Sequence, residues 1–322
     1  MTVFTISPEA LRFVGRGLHR PECVLATASG RLYTSDWRGG VTCLHPDGSR
    51  EVTLAEAGGM ELRPNGIAID ADGSFLLANL GDGGGVYRLH RSGRLEAVLS
   101  DVDGVRLPPV NFVMVDRLGR YWVSVSTRRE PRALGYRPDV ADGFIVLVDD
   151  KGARRVADGI GYTNEVLLDP EGRWLYVNET FGRRLIRFKV LPGGDLAGRE
   201  TVFEFGHGTY PDGMAMDVDG GIWVTSIISN RVIRIGPDGK GHTVLEDADP
   251  DHVNWAEKAF LDGTMDRPHL DRIRSRRLRN ISSLAFGGPD RRTVYLGCLL
   301  GDALATFRSP IAGIEPVHWK TG

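Results

Sequence analysis

Short apolar runs separated by turns of glycine, aspartate and proline recur along the chain. One clear example begins at the turn Pro211-Asp212-Gly213, and apolar runs follow it at 214–216, 222–225 and 231–235. Each run has the length of a strand, and turn residues between neighbouring runs are typical of an antiparallel meander. This pattern predicts a unit of three short strands that begins near Asp212.

The same unit occurs six times in the sequence. We call the residues that open the six first strands the opening residues, and their spacings are 43, 46, 53, 48 and 70 residues. Periods of about 40–50 residues with about four strands each are typical of β-propeller blades. Fourth strands are predicted in the linking segments 50–54, 95–99 and 201–205. We therefore predict an all-β, six-bladed β-propeller that occupies residues 1–322 as a single domain. The opening residues are Glu22, Asn65, Asn111, Asn164, Asp212 and Ser282.

Two linkers are longer than a connection between blade strands requires. Residues 128–142 interrupt the third unit, and residues 247–280 separate the fifth unit from the sixth. Apolar residues in 254–262 and 269–278 lie near helical spacing, which predicts a short helical insertion between blades 5 and 6. The insertion is either surface decoration or a cap over one mouth of the propeller that influences substrate choice.

Composition and charge narrow the class of protein. The 322 residues include 40 basic and 42 acidic side chains, so the net charge of −2 suggests neither a nucleic-acid nor a membrane partner. The three cysteines are far apart, which disfavours a disulfide framework or a metal-binding cysteine pair. The sequence shows neither a signal peptide nor a membrane span, and we expect a cytoplasmic protein. Its oligomeric state stays open.

Five of the six opening residues are acids or carboxamides, although each precedes an apolar strand. Asp and Asn are depleted in strands, so their recurrence needs a reason. One reason is structural, because Asn65-Gly66 and Asp212-Gly213 could form Asx-turns. This explanation suits Asn111 less well, because no glycine follows it. The other is function, since the first strands of all blades line the central channel and their opening residues meet at one end of it.

A ring of oxygen ligands is the functional interpretation of these positions. The carboxylates of Glu22 and Asp212 and the amide oxygen of Asn164 would suit Ca²⁺, for which Mg²⁺ and Mn²⁺ would compete. No histidine opens a first strand, and this disfavours a zinc centre.

Four segments carry a resemblance to a known family. Residues 210–217, 221–224, 230–235 and 283–288 resemble the SMP-30/gluconolactonase family of regucalcin-like six-bladed propellers, and the resemblance extends from Pro21 to Phe307. It implies a lactonase that acts on a small-molecule substrate and holds a divalent metal.

The resemblance also implies roles for individual residues. The metal ligands would be Glu22, Asn164 and Asp212, and Asn111 would contact the substrate. Ca²⁺ is the expected ion, with Mn²⁺, Mg²⁺ and Zn²⁺ as alternatives.

The sequence departs from the family pattern beside this site. Phe112 follows Asn111 where the family often has aspartate, and Pro109 stands where sugar lactonases tend to have arginine. Phe112, Trp37 and Phe181 are candidate apolar walls of the substrate pocket. We therefore expect a hydrophobic lactone or another ester-like substrate that is less polar than an aldonolactone.

The expected chemistry is metal-assisted opening of the lactone ring. Asp212 would act as general base towards the attacking water, and Asn111 and Asn65 would orient the substrate by hydrogen bonds. The chain has no Gly-x-Ser-x-Gly elbow, which disfavours a covalent serine mechanism.

Two other classes of function stay open. One is a non-hydrolytic propeller enzyme similar to strictosidine synthase, and the other is a binding or scaffold propeller with a structural metal. The polar opening residues favour an enzyme, because a scaffold does not need carboxylates in its channel.

Overall fold

The computed structural model describes residues 3–56 and 58–321, which form six four-stranded antiparallel sheets and one two-stranded sheet. We number the strands and helices in chain order. The strands are β1 (Arg12–Val14), β2 (Val24–Ala26), β3 (Leu32–Asp36), β4 (Gly40–Leu44), β5 (Arg50–Leu54), β6 (Pro64–Ile69), β7 (Phe75–Asn79), β8 (Val86–Leu89), β9 (Leu95–Leu99), β10 (Asp101–Val102), β11 (Val105–Arg106), β12 (Phe112–Val115), β13 (Tyr121–Val125), β14 (Gly143–Asp149), β15 (Gly152–Ile160), β16 (Thr163–Leu168), β17 (Trp174–Glu179), β18 (Arg184–Val190), β19 (Leu196–Glu204), β20 (Tyr210–Met216), β21 (Ile222–Ile227), β22 (Arg231–Ile235), β23 (Gly241–Glu246), β24 (Ile281–Gly287), β25 (Thr293–Cys298) and β26 (Leu304–Arg308). The helices are α1 (Pro250–Leu261) and α2 (Arg267–Asp271), and 3₁₀ turns span Pro8–Ala10 and Arg132–Gly135.

The six sheets are the blades of a β-propeller, as the sequence predicted. Blades 1 to 5 are β2–β5, β6–β9, β12–β15, β16–β19 and β20–β23, each paired in sequence order, and β10 and β11 form a small hairpin between blades 2 and 3. The predicted outer strands at 50–54 and 95–99 are β5 and β9, and the one predicted at 201–205 belongs to the longer β19. The predicted strand edges differ from the observed ones by a few residues in most units.

Blade 6 takes its outer strand from the other end of the chain. Its order is β24–β25–β26–β1, and β1 pairs antiparallel with β26 through Arg12 and Thr306, Phe13 and Ala305, and Val14 and Leu304. The sequence prediction drew outer strands only from linking segments and therefore missed this strand. The pairing joins residues near the two ends of the described chain and closes the ring of blades.

Neighbouring blades pack through apolar faces, which is how four-stranded sheets that are too small to stand alone become stable. In one such interface Trp223 and Val232 of blade 5 pack with Leu284 and Phe286 of blade 6. Asp217 fixes the turn after β20, because it accepts hydrogen bonds from Trp223 Nε1 (2.8 Å) and from Arg234 Nε (2.5 Å).

The predicted helical insertion is present between blades 5 and 6. Helix α1 begins with a proline after Asp249, whose side chain accepts a hydrogen bond from the His252 backbone N–H, a favourable N-terminal cap. Its buried face includes Phe260, which packs against Phe181 and Tyr210 of blades 4 and 5. The second predicted helix is shorter than expected, since α2 ends at Asp271. Among the described residues, no helix is long and apolar enough to cross a membrane.

Candidate functional site

The inner strands of four blades are irregular at their opening residues. Register with the second strand shifts between Pro64 and Ile67, between Thr163 and Val166, between Pro211 and Met214, and between Ile281 and Leu284. Bulges of this kind change the direction in which a side chain points. Each of these four bulges contains one opening residue. These residues are Asn65, Asn164, Asp212 and Ser282.

Glycine allows neighbouring inner strands to approach each other at two of these bulges. A Cβ atom on Gly213 would lie 2.4 Å from the Ser282 carbonyl oxygen, and one on Gly66 would lie 2.7 Å from the Phe112 Cα. Neither glycine has a positive φ. These two glycines are therefore explained by close packing of backbones, and the Asx-turn interpretation is not needed for them.

The opening residues meet at one end of the channel. Glu22, Asn65, Asn111, Asn164, Asp212 and Ser282 are all buried. Five of them border one small cavity, and Asn111 contacts two of those five. We call this cavity and the side chains around it the polar ring. The cavity is lined by Glu22, Cys23, Asn65, Gly66, Phe112, Asn164, Glu165, Asp212 and Ser282.

Amide side chains form a chain of hydrogen bonds around the polar ring. Asn65 Nδ2 donates to the Asn111 carbonyl oxygen (2.9 Å), and Asn111 Nδ2 donates to Asn164 Oδ1 (2.6 Å). Asn164 Nδ2 donates to Thr180 Oγ1 (2.9 Å), which itself donates to the Pro211 carbonyl oxygen (2.8 Å). The buried Asn65 Oδ1 has no hydrogen-bond partner, so it is an acceptor free to bind a ligand.

Blade 6 holds the backbone of Glu22. Ser282 Oγ and Ser283 Oγ donate to the Glu22 carbonyl oxygen at 2.8 and 2.6 Å, and the Glu22 carboxylate accepts a hydrogen bond from Arg20 Nε at 3.0 Å. The hydroxyl of Ser282 is therefore committed to the junction between blades 6 and 1, which is a structural role.

Asp212 is a buried carboxylate without a donor. It is 6% exposed, and its carboxylate oxygens accept no hydrogen bond from any residue that the structure describes. Burial, followed by the negative charges of Glu22 and Glu165, raises the pKa of Asp212 well above its usual range. A raised pKa makes this carboxylate a stronger base than an exposed aspartate.

Glu165 is a third carboxylate of the polar ring that the sequence analysis missed. Its side chain accepts a hydrogen bond from the Met214 backbone N–H (2.9 Å), and burial together with the charge of Glu22 raises its pKa to about 8. Strict strand alternation would place Asn164 and Glu165 on opposite faces. Both line the cavity because the bulge in β16 falls between Thr163 and Val166.

The chemistry of the polar ring fits a hard divalent cation. Glu22, Asn164 and Asp212 line one cavity, and the carboxylate of Asp212 has no other partner there. A cation would offset the repulsion that raises the pKa of Asp212. Among the described residues, no cluster of three or more His, Cys, Asp or Glu side chains has the arrangement of a metal centre.

The three candidate apolar walls lie in different environments. Phe112 lines the polar cavity, and Trp37 is partly exposed beneath the Arg20 guanidinium, which lies 3.8 Å from the ring centroid. Phe181 is 2% exposed in an aromatic cluster with Tyr136 and Phe260. The structure thus brings Phe112 to the polar ring, whereas Phe181 packs beneath the insertion.

A loop of blade 3 brings Arg132 to the polar ring, and the sequence analysis did not single this residue out. Arg132 Nη2 donates to Asn111 Oδ1 and to Ser126 Oγ, both at 3.1 Å. The residue lies in the 3₁₀ turn of the long linker between β13 and β14. No periodicity distinguishes it from the other arginines of that linker.

A larger cavity of about 540 Å³ lies farther along the channel. Its walls are mostly apolar and include Ile67, Met114, Met216 and Leu284. Cys23, Phe112 and Glu165 line both cavities and so mark the boundary between them. We call this space the lower cavity.

Fold and site together define a six-bladed propeller with buried carboxylates and amides at one end of its channel. Residues 20–247 match the family described as SMP-30/gluconolactonase/LRE-like region. The chain belongs to this family, and the resemblance inferred from the sequence is confirmed.

Relatives named as lactonases match part of the sequence, and solved structures match the fold. A 6-deoxy-6-sulfogluconolactonase of Pseudomonas putida is 28% identical over 185 residues, which are 56% of this chain and 51% of the relative. This chain thus spans about half the length of that relative. A gluconolactonase structure from Xanthomonas campestris has a TM-score of 0.68 at 20% identity, covering 93% of this chain and 89% of its own. The calcium-binding protein regucalcin of Agrobacterium tumefaciens has a TM-score of 0.67 at 17% identity and covers 97% and 98%.

Proposed function

We propose that this protein is a lactonase that uses a divalent cation at the polar ring. The observation that carries the proposal is the Asp212 carboxylate, which is buried among Glu22, Glu165 and Asn164 without a hydrogen-bond donor among the described residues. Family membership and the lactonase names of the relatives support it.

Glu22, Asn164 and Asp212 would hold the cation, and Ca²⁺ is our first choice because oxygen atoms supply the whole set. When bound, the cation supplies positive charge that polarises the lactone carbonyl group. The calcium-binding regucalcin with the same fold supports this choice. Mn²⁺, Mg²⁺ and Zn²⁺ are the alternatives.

Asp212 would serve as the general base. One carboxylate oxygen takes a proton from water while the water oxygen bonds to the lactone carbonyl carbon. The ring C–O bond then breaks, and the proton passes from Asp212 to the departing alkoxide oxygen. The products are a carboxylic acid and an alcohol on one open chain, so one lactone and one water give one hydroxy acid.

Asn65 and Asn111 would orient the lactone. The free Asn65 Oδ1 can accept a hydrogen bond from the attacking water or from a substrate hydroxyl group. The Asn111 amide is fixed by its bonds to Asn164 and Arg132 and can present its remaining polar surface in one orientation.

The substrate we propose has a less hydroxylated ring than an aldonolactone. Phe112 borders the polar cavity, so the apolar face of a ring could pack there. Trp37 lies beneath the Arg20 guanidinium, which donates to Glu22, and would form the outer part of this wall. Phe181 is left out of the proposed pocket wall, because its ring is already packed among other aromatic rings.

The insertion 247–280 would act as a cap over this mouth. Glu257 of α1 forms an ion pair with Arg183, and Tyr210 lies beside both residues at the beginning of β20. Tyr210 is two residues from Asp212, so the contacts of the insertion are on the side of the propeller where the inner strands begin. Cytoplasmic location stays a prediction from the sequence.

The deciding experiment is hydrolysis of matched aliphatic and sugar lactones by EDTA-treated protein, with and without Ca²⁺, Mn²⁺, Mg²⁺ or Zn²⁺. We expect turnover only after a divalent ion is restored, with a preference for the less hydroxylated rings. Full turnover in metal-free buffer would contradict the role of the cation. Tight metal binding without hydrolysis of any lactone would favour a non-hydrolytic enzyme or a scaffold with a structural metal.

A further inference from the structure

The guanidinium of Arg132 is held in a fixed position beside the polar ring. Its Nη2 donates to the side-chain oxygens of Asn111 and Ser126, and its Cζ lies 5.5 Å from the centroid of the Tyr162 ring. The supporting loop is closely packed, since a Cβ on Gly135 would lie 3.0 Å from Thr127 Oγ1. The group therefore needs little reorganisation to bind a ligand.

The positive charge of Arg132 is not neutralised by an ion pair, although it acts on Asp212 from farther away and partly offsets the rise in the pKa of that carboxyl. Both of its acceptors are neutral, and its buried Nε has no hydrogen-bond partner. Within the described residues, no carboxylate oxygen lies at ion-pair distance from it. Arg20, the other guanidinium near the site, donates instead to the carboxylate of Glu22 (3.0 Å). A partly buried guanidinium with unused donors is suited to bind an anion, because its fork of N–H groups matches the oxygens of an oxyacid.

We propose that Arg132 forms a subsite for an anionic oxyacid group, a carboxylate or a sulfonate, carried by the substrate. This inference rests on the proposed lactonase function and names one feature of its substrate. Pro109 stands where sugar lactonases tend to have arginine, and the guanidinium at this site comes instead from the loop between β13 and β14. The substrate would combine an apolar ring face against Phe112 with one negative substituent towards Arg132.

The test compares two γ-lactones that differ only in one ring substituent, a carboxylate or its methyl ester. Loss of a charge-assisted contact in Arg132→Gln should raise KM for the carboxylate lactone by about tenfold or more. KM for the methyl ester should change by less than about twofold, and Arg132→Lys should recover part of the loss because it keeps the charge.

Arg129→Gln is the matched control. Arg129 lies in the same linker but pairs with Asp142 at 3.6 Å and is largely solvent-exposed, so its removal should leave both KM values unchanged. The control separates the loss of one particular guanidinium from a general loss of positive charge in the loop.

Three outcomes would distinguish failure of the anion subsite from failure of the proposed lactonase function. Equal losses on both lactones, mainly in kcat, would overturn the anion subsite and make Arg132 a positioning residue for Asn111. Turnover of neither lactone would contradict the proposed function. In that case the affinity for the carboxylate lactone, measured by calorimetry, still tests the anion subsite. An affinity that is unchanged in Arg132→Gln overturns the subsite, and an affinity that is lost in this variant supports it.

Discussion

The two ends of the channel are built from the same six inner strands but differ in chemistry. At the polar ring, bulges and close glycine contacts bring carboxylates and amides around a small cavity. Farther along, regular strands present apolar side chains such as Met216 and Leu284 to the lower cavity of about 540 Å³. A large apolar space follows from the propeller geometry alone, whereas buried acids without partners cost folding energy.

This difference supports our proposal that the reaction takes place at the polar ring. Cavity size alone would have pointed to the lower cavity, because most ligand pockets are large and apolar. Charge points to the other end, since burial and the charges of neighbouring carboxylates raise the pKa of Asp212, which lines only the polar cavity, and of Glu165 at the boundary. His318 lines only the lower cavity, and its pKa is lowered to about 4 by burial and not by neighbouring charges. Groups with strongly shifted pKa values cluster at functional sites.

The largest expected effect is loss of activity in Asp212→Asn. This substitution keeps the shape of the side chain but removes the base, and turnover should fall by about 10²–10⁴-fold. The metal-free variant should also be more stable than the parent protein, because one repelling buried charge is gone. Lactone hydrolysis by the metal-loaded proteins measures the first effect, and thermal unfolding of the metal-free proteins measures the second.

Met216→Leu supplies the comparison at the lower cavity. It conserves volume on an apolar wall, so turnover should change by less than about twofold and stability by less than about 1.5 kcal/mol. If Met216→Leu reduced turnover as strongly as Asp212→Asn, the assignment of the reactive end would be wrong.

The next effect is the loss of stability in Gly213→Ala. The added Cβ would overlap the Ser282 carbonyl oxygen and the Ser283 Cα, at 2.4 and 2.5 Å, and backbone cannot move aside easily. We expect a loss of about 1–3 kcal/mol in the free energy of unfolding, measured by denaturant titration.

Gly206→Ala is the matched control for that substitution. Gly206 has no atom within 4 Å of the added Cβ and no positive φ, so its replacement should be close to neutral. Equal stability of the Gly213→Ala variant and its control would show that the inner strands do not depend on this close approach.

Per pH unit, the smallest effect is a dependence of stability on pH in metal-free protein. Glu165 has a raised pKa of about 8, so between about pH 4.5 and 8 the folded state binds more protons at this site than the unfolded state does. Stability should therefore fall as pH rises through this window, by at most about 1.4 kcal/mol per pH unit for one such group.

Two further measurements sharpen this prediction. Glu165→Gln should flatten the decline of the melting temperature with pH, because the titrating group is absent. Added Ca²⁺ should raise the melting temperature more at pH 8 than at pH 5, since the carboxylates are then ionised. A slope that is identical in the variant and the parent would assign the pH dependence to other groups.

The sequence predicted the propeller and the positions of the opening residues because both depend on local periodicity. Turn residues and strand-sized runs repeat in every unit, so each blade could be recognised by itself. Asn164 and Asp212 were identified because polar residues at the beginning of apolar strands violate strand preference.

Features that depend on tertiary contacts were not predictable in this way. Glu165 reaches the channel only because a bulge overrides alternation, and Arg132 lies in a linker without a repeating pattern. β1 has only three residues, and its pairing with β26 spans nearly the whole chain. The aromatic environment of Phe181 depends on an insertion whose packing the sequence does not specify.

The hydrogen bonds from Ser282 and Ser283 to the Glu22 carbonyl oxygen have a consequence for the order of assembly. A ribosome produces Glu22 about 260 residues before the serines that hold it, as the sequence separations of 260 and 261 show. The acidic side chains can be held together as one set only after the last blade has docked and β1 has paired with it. Nascent or truncated chains should therefore lack the polar ring, so that its buried carboxylates come together only in a finished ring.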